Sequence, residues 1–297
     1  MKFIDKLTKR IEAVNSLVCV GLDSRYDRLP DFIKSKDINK SVFRFNQKII
    51  QETNQVVAAY KMNVAFYAGF GMEGLEALRQ TNNFLKQNYP DIPIIADCKR
   101  SEMGESTKMV KQEIFDWLGF DSILVTPWFG QDTIKDYLDD ETKGVGVYVH
   151  DSNPSAVEFQ DLELKDGRKV YEAVAENLVK NWNKNGNVFV EAGATYLLQL
   201  RKIREIVGEE IMILVAGVGV QGGKIEELKG LLGLNQQRMI VNSSRGIIFA
   251  GGKSDNEKEY LEKVSQAAEN LRKSLQMISE FSPGDSGGIS RSNWSGD

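Results

Sequence analysis

Ile94-Ile95-Ala96-Asp97-Cys98-Lys99-Arg100-Ser101-Glu102-Met103-Gly104 begins as an apolar run after Pro93 and ends in alternating charges. A parallel strand buried on both faces gives such a run, because no polar face interrupts it. Side chains alternate along a strand, so Asp97 and Lys99 share a face where this one finishes. Charges at that point cost desolvation unless they pair or do chemistry. Taken alone, Asp97-x-Lys99 reads as a structural salt bridge. What gathers around it decides between pairing and chemistry.

Working outward, the same unit recurs. Strand-like runs are expected at 16–22, 56–64, 92–97, 122–126, 144–149, 188–192, 211–216 and 239–241. Helical spacing follows most of them, at about 39–53, then 71–88, 104–118, 132–138, 170–182, 196–207 and 224–232. A short amphipathic helix at 3–14 precedes the first strand. A last helix, with Ser254 and Glu257 in capping-box spacing, follows the eighth. Eight β/α units in about 250 residues predict a (β/α)8 TIM barrel, an α/β fold, over a doubly wound open sheet. One domain is expected over 1–281, with a Ser/Gly-rich tail at 282–297 expected to be disordered.

Composition narrows the function. The 297 residues carry a net charge of −4, and with no basic footprint nucleic acid is not an expected partner. The two cysteines, Cys19 and Cys98, lie in apolar runs and read as reduced thiols rather than a bridge. His150 is the single histidine, which excludes a histidine-rich metal site. Neither a signal-peptide core nor a run of about 18 apolar residues occurs, so no membrane span is expected and the cytoplasm is the default compartment.

In a barrel the strand ends share one face. The ends supply Asp23, then Lys61 and Asn63, then Asp97, Lys99 and Glu102. Asp151, Ser152 and Asn153 follow, then Gln221, then Ser243, Ser244 and Arg245. Two lysines among several carboxylates are more than stability requires. Gly217-Val218-Gly219-Val220-Gln221-Gly222 is a literal G-x-G-x-x-G, but the acid a dinucleotide site wants further on is replaced by Val241-Asn242-Ser243. In a barrel these last two turns commonly hold phosphate, which Arg245 can grip with its planar fork. With no histidine base and no metal-ligand cluster, proton transfer falls to a lysine.

These residues resemble the orotidine 5′-phosphate decarboxylase family in its longer, mainly bacterial form. Val20-Gly21-Leu22-Asp23-Ser24-Arg25 with Arg28-Leu29-Pro30 is similar to its first strand and loop, and Lys61-Met62-Asn63-Val64-Ala65-Phe66-Tyr67 to its second. Asp97-Cys98-Lys99-Arg100 resembles the start of its D-x-K-x-x-D signature. Ser152-Asn153-Pro154 with Phe159-Gln160, Gly193-Ala194-Thr195-Tyr196, Gly217 to Gly223, and Asn242-Ser243-Ser244-Arg245-Gly246-Ile247 resemble the later loops. The likeness covers nearly all of 16–252.

The resemblance implies a carboxy-lyase that converts orotidine 5′-monophosphate to uridine 5′-monophosphate (UMP), the last step of de novo UMP synthesis, with no metal or organic cofactor. It implies a charged tetrad of Lys61, Asp97, Lys99 and Glu102, with residue 102 reaching the partner's site in a homodimer. Asp97 would lie against the substrate carboxylate, and Lys99 would protonate the carbanion at C6. Asp23 and Lys61 would hold the ribose, and Ser152 would read the pyrimidine edge. Gln221 and Arg245 would hold the phosphate. Asn63, Asn153, Gly219, Gly222 and Ser244 complete the expected substrate contacts.

Two positions depart from the pattern. Glu102 stands where the signature has Asp, which moves the carboxylate by about 1.5 Å, one C–C bond, where catalytic geometry tolerates little error. Asp151 stands where Thr is common. Two alternatives follow: a Mg-dependent sugar-phosphate decarboxylase or aldolase on the same barrel, or a UMP-binding barrel whose activity Glu102 has reduced.

Overall fold

The computed structural model describes residues 1–218, 223–254 and 256–280. Eight parallel strands close into a barrel in sequence order: β1 Val18–Gly21, β2 Ala59–Asn63, β3 Ile94–Asp97, β4 Ser122–Val125, β5 Gly144–His150, β6 Val188–Gly193, β7 Ile213–Ala216 and β8 Met239–Ser243. The ring closes by parallel pairing of β8 with β1, Val18 lying opposite Val241. The TIM barrel expected from the sequence is therefore the fold. Burial explains the continuous apolar runs: β1, β3, β4, β5 and β6 are buried at every residue, so barrel interior and helix layer are both satisfied.

The helices pack outside the ring. α1 Phe3–Val14 buries Phe3, Leu7 and Ile11 and closes the bottom of the barrel. There Phe3 stacks on Phe189 of β6 with ring centroids 5.5 Å apart. Gly144 makes room for it, since a Cβ at that position would sit 2.3 Å from the Phe3 ring. α2 Ile38–Thr53 starts at Asp37, whose carboxylate accepts from the Lys40 amide at 2.9 Å. α3 Val64–Ala68 and α4 Gly71–Asn88 follow β2, and α5 Glu105–Lys111 follows β3. α6 Lys135–Leu138, α7 Val170–Asn177 and α8 Leu197–Val207 cover β4 to β6. α9 Arg245–Ile248 and α10 Glu257–Glu280 complete the chain.

Three local expectations change. The helices expected at 104–118 and 170–182 each end in a π-helical turn, Gln112–Trp117 and Leu178–Trp182. The helix expected at 224–232 is only a 3-10 turn, Ile225–Leu228. Lys229 is extended, and Gly230 and Gly233 take left-handed backbone at φ 80° and 72°, so the turn cannot propagate while Leu228, Leu231 and Leu232 reach the core. At the last helix the cap is Asn256 rather than Ser254: Asn256 Oδ1 accepts from the Glu259 amide at 3.1 Å. The tail at 282–297 lies outside the described residues.

Candidate active site

Where the strands finish, a cavity of about 450 Å³ opens at the C-terminal face of the barrel. β2 contributes Lys61, buried because it points inward one turn of the pleat below the rim. β3 ends in Asp97, paired in register with Asn63. Two residues on, Lys99 takes left-handed backbone at φ 54°, uncommon for a side-chain-bearing residue and costing on the order of 1 kcal/mol. That turn folds Lys99 back over the strand end and brings its Nζ to 2.5 Å from Asp97 Oδ1.

Asp97 is the hub. Lys61 Nζ donates to its Oδ2 at 2.6 Å, and the Tyr148 hydroxyl of β5 donates to Oδ1 at 2.7 Å. Asn63 Nδ2 stands at the outer limit of a bond to Oδ2, 3.5 Å. Burial alone would raise the Asp97 pKa, but Lys61 and Lys99 together override it and hold the carboxyl well below the usual carboxylate range. Burial likewise opposes the charge on Lys61, and Asp97 and Asp23 overcome it, so that pKa sits above its ordinary value. Lys99 differs from Lys61 in access: its side chain is 47% exposed against 6%, and its Nζ lies 4.7 Å above the Tyr148 ring. A buried lysine that holds the acid and an accessible one that can reach a ligand make a divided arrangement suited to proton transfer.

The far end of the cavity is made by β8 and the loop after β1. Ser243, Ser244 and Arg245 line it, with Arg28 lying 4.5 Å over the Phe249 ring. Gly21 lets β1 approach β8 here, since a Cβ would meet Ser244 Cβ at 2.7 Å. Ser244 Oγ and Asn242 Oδ1 are buried without a hydrogen-bond partner among the described residues. Such a set suits an anion: a guanidinium at the rim and a free hydroxyl beneath it.

The cavity gathers most of the expected residues: Asp23, Lys61, Asn63, Asp97, Lys99, Ser152, Asn153, Ser244 and Arg245 all line it. Asp23 accepts from the Asn63 amide at 3.1 Å, which ties β1 to β2 at the rim. Glu102 does not join them; it is exposed and does not line the cavity of its own chain. Gly219, Gln221 and Gly222 lie outside the described residues. Asp151, the second departure, lines the cavity and exchanges two hydrogen bonds with Gln160, its amide to Oε1 at 2.8 Å and its Oδ2 from Nε2 at 3.1 Å. Sequence reading missed Tyr148 and Glu191, both lining the cavity from strand interiors. The available signal for Glu191 was a lone acid inside the apolar run Val188 to Ala192.

Comparison with known proteins agrees with this arrangement. A family model described as Orotidine 5′-phosphate decarboxylase / HUMPS family matches residues 16–260. The orotidine 5′-phosphate decarboxylase of Christiangramia forsetii is 38% identical over 276 residues, covering 93% of this chain and 97% of that protein. The enzyme of the same name from Halorubrum lacusprofundi is 40% identical over 283 residues, covering 93% and 99%. Among solved structures, OMP decarboxylase of Leishmania donovani superposes with a TM-score of 0.80 at 28% identity, over 95% of this chain and all of that one.

Proposed function

The chain belongs to the Orotidine 5′-phosphate decarboxylase / HUMPS family, whose decarboxylases are carboxy-lyases that turn orotidine 5′-monophosphate into UMP, and we propose how its site performs that reaction. The observation that carries the reading is Asp97, held ionised between two lysines at one end of a cavity whose other end presents Arg245. Phosphate binds at Arg245 and Ser244, with Gln221, Gly219 and Gly222 as the further contacts expected from the sequence. Asp23, Lys61 and Asn63 take the ribose, while Ser152 and Asn153 take the base. This seats the substrate carboxylate against Asp97. Two like charges there are relieved as CO2 departs, so the contact is less unfavourable in the transition state than in the ground state. The C6–carboxyl bond breaks, its electron pair stays on C6, and Lys99 stabilises that charge and then delivers its Nζ proton to C6.

No step in this scheme needs a metal ion, which separates it from Mg-dependent relatives on the same barrel. The test follows pyrimidine absorbance as pure protein meets orotidine 5′-monophosphate with EDTA present. Loss of substrate at an undiminished rate is expected. No loss with or without added metal would overturn the reading.

The same reading makes 1–281 one catalytic unit in a cytoplasmic homodimer, with 282–297 as an appended tail. Met103, Trp128, Phe129 and Phe159 are all more than half exposed on loops at the site's end of the barrel, which supports a covered surface there. Glu102 would then enter the partner's cavity. Mixing inactive Lys99→Ala with inactive Glu102→Ala subunits is expected to regenerate about one quarter of wild-type activity, since half of the dimers would hold one intact site of two. No recovery on mixing would remove Glu102 from the partner's site.

A further inference from the structure

Glu191 lies in the middle of β6, opposite Tyr148 in the β5–β6 register, and both line the cavity. The residue is 5% exposed, and its Oε2 has no hydrogen-bond partner among the described residues. A buried carboxyl oxygen left unpaired costs free energy, so its persistence at the wall of a binding cavity points to a partner that arrives with the ligand. We propose that Glu191 is a specificity residue that donates a hydrogen bond to an exocyclic carbonyl oxygen of the pyrimidine base. The assignment rests on the decarboxylase reading of this cavity.

The charged groups around it fix the direction of that bond. Asp151 beyond β5 and Asp97 of β3 face it as acids, and Lys61 of β2 and Lys99 beyond β3 face it as bases. Both lysines are already engaged by Asp97. Burial, then the two acids, push the Glu191 pKa well above the ordinary carboxyl range. That direction favours the protonated form, so the contact proposed is through an O–H rather than a second anion beside Asp97. A proton donor selects an acceptor, and the polar acceptors on a uracil ring are its carbonyl oxygens. The proposed partner is the carbonyl that uracil carries where cytosine carries an amine. An amine there would set donor against donor.

The experiment measures binding of UMP and of cytidine 5′-monophosphate (CMP) to the full chain by titration calorimetry, with turnover of orotidine 5′-monophosphate alongside. Wild type is expected to prefer UMP by tenfold or more. Glu191→Leu should lose about tenfold in UMP affinity and most of that preference, the larger part of the kinetic loss falling on KM rather than kcat. Glu191→Gln, which restores an N–H donor of similar size, should recover most of the affinity. In the infrared difference spectrum, adding UMP to wild type should shift the carbonyl stretch of a protonated carboxyl, and Glu191→Gln should lack that band. A Glu191→Leu protein that turns over substrate with an unchanged UMP/CMP ratio overturns this inference and leaves the decarboxylase reading standing. Wild type that neither binds UMP nor consumes substrate removes both. Should the leucine variant fail to fold, a wild-type spectrum with no acid band responding to UMP overturns the inference on its own.

Discussion

On the β3 side of the cavity the buried acid, Asp97, is met by two ammonium groups and a phenol. On the β6 side the buried acid, Glu191, has one carboxyl oxygen with no partner among the described residues, and Asp151 and Asp97 are the leading charges on it. Both are buried at the wall of the same cavity, so burial acts on both. What differs is the sign of the neighbours. Lysines reverse the effect of burial at Asp97 and keep it ionised. Acids add to that effect at Glu191 and push its pKa further up. On the proposed reading, one wall thus offers a fixed negative charge with a transferable proton beside it, and the other offers a neutral donor. Of these two facing acids, the proposed reading leaves charge only on the one beside the bond that breaks.

The largest expected effect tests the transferable proton. Lys99→Ala should lower kcat by 10³-fold or more, toward the upper end of what one general acid contributes, while UMP affinity changes little because the proposed phosphate grip at Arg245 is remote. Steady-state kinetics and a binding titration separate the two quantities. Near-normal turnover would take the proton-transfer role away from Lys99 and reduce the β3 array to a salt bridge.

That array was the most legible part of the chain. Continuous apolar runs ending in Asp23, Lys61, Asp97 and Ser243 mark barrel strands, because a parallel strand buried on both faces cannot be interrupted before its rim. Motif residues at the rim are short-range and declare themselves. Tyr148 and Glu191 did not, since they lie inside strands, where Tyr is ordinary and a lone Glu reads as an exception to burial rather than a site. Register made the difference: Tyr148 reaches Asp97 only across the barrel, 51 residues away in sequence. The helix expected at 224–232 failed for a local reason, two glycines in left-handed backbone that spacing alone does not weigh.

An acid-to-amide swap on each wall sharpens the contrast. Asp97→Asn strips the charge that holds Lys61 in the interior and should cost about 3 kcal/mol of unfolding free energy at neutral pH. Glu191→Gln puts a neutral isostere where burial already disfavours the charge and should cost less than about 1 kcal/mol. Their pH dependences run in opposite directions. The folded pKa of Asp97 is depressed, so its contribution is present above the ordinary value near about 4 and fades as pH falls below it. The folded pKa of Glu191 is raised, so its contribution is whole below about 4 and declines as pH rises from there. Urea denaturation across pH 3–8 should therefore show the Asp97→Asn deficit shrinking toward acid, and Glu191→Gln gaining on wild type toward neutral. Parallel curves for the two variants would mean that the acids share one charge state.

Tyr148 stands between the two walls and should give the smallest effect. Its hydroxyl is the third donor to Asp97, and its ring supports Lys99 at 4.7 Å. Burial, with the ionised Asp97 beside it, pushes its pKa well up, so it remains a phenol and a donor throughout the working range. Tyr148→Phe keeps the ring and removes only the hydroxyl. Asp97 would still hold both lysines, so the carboxylate stays ionised and loses one of its four donors, a cost of about 1 kcal/mol in stability. Turnover should fall less than tenfold, because the proton donor and its partner are intact. A drop as deep as that of Lys99→Ala would mean that the tyrosine, and not the second lysine, sets the charge on Asp97, and the contrast between the two walls would then rest on β5 rather than β3.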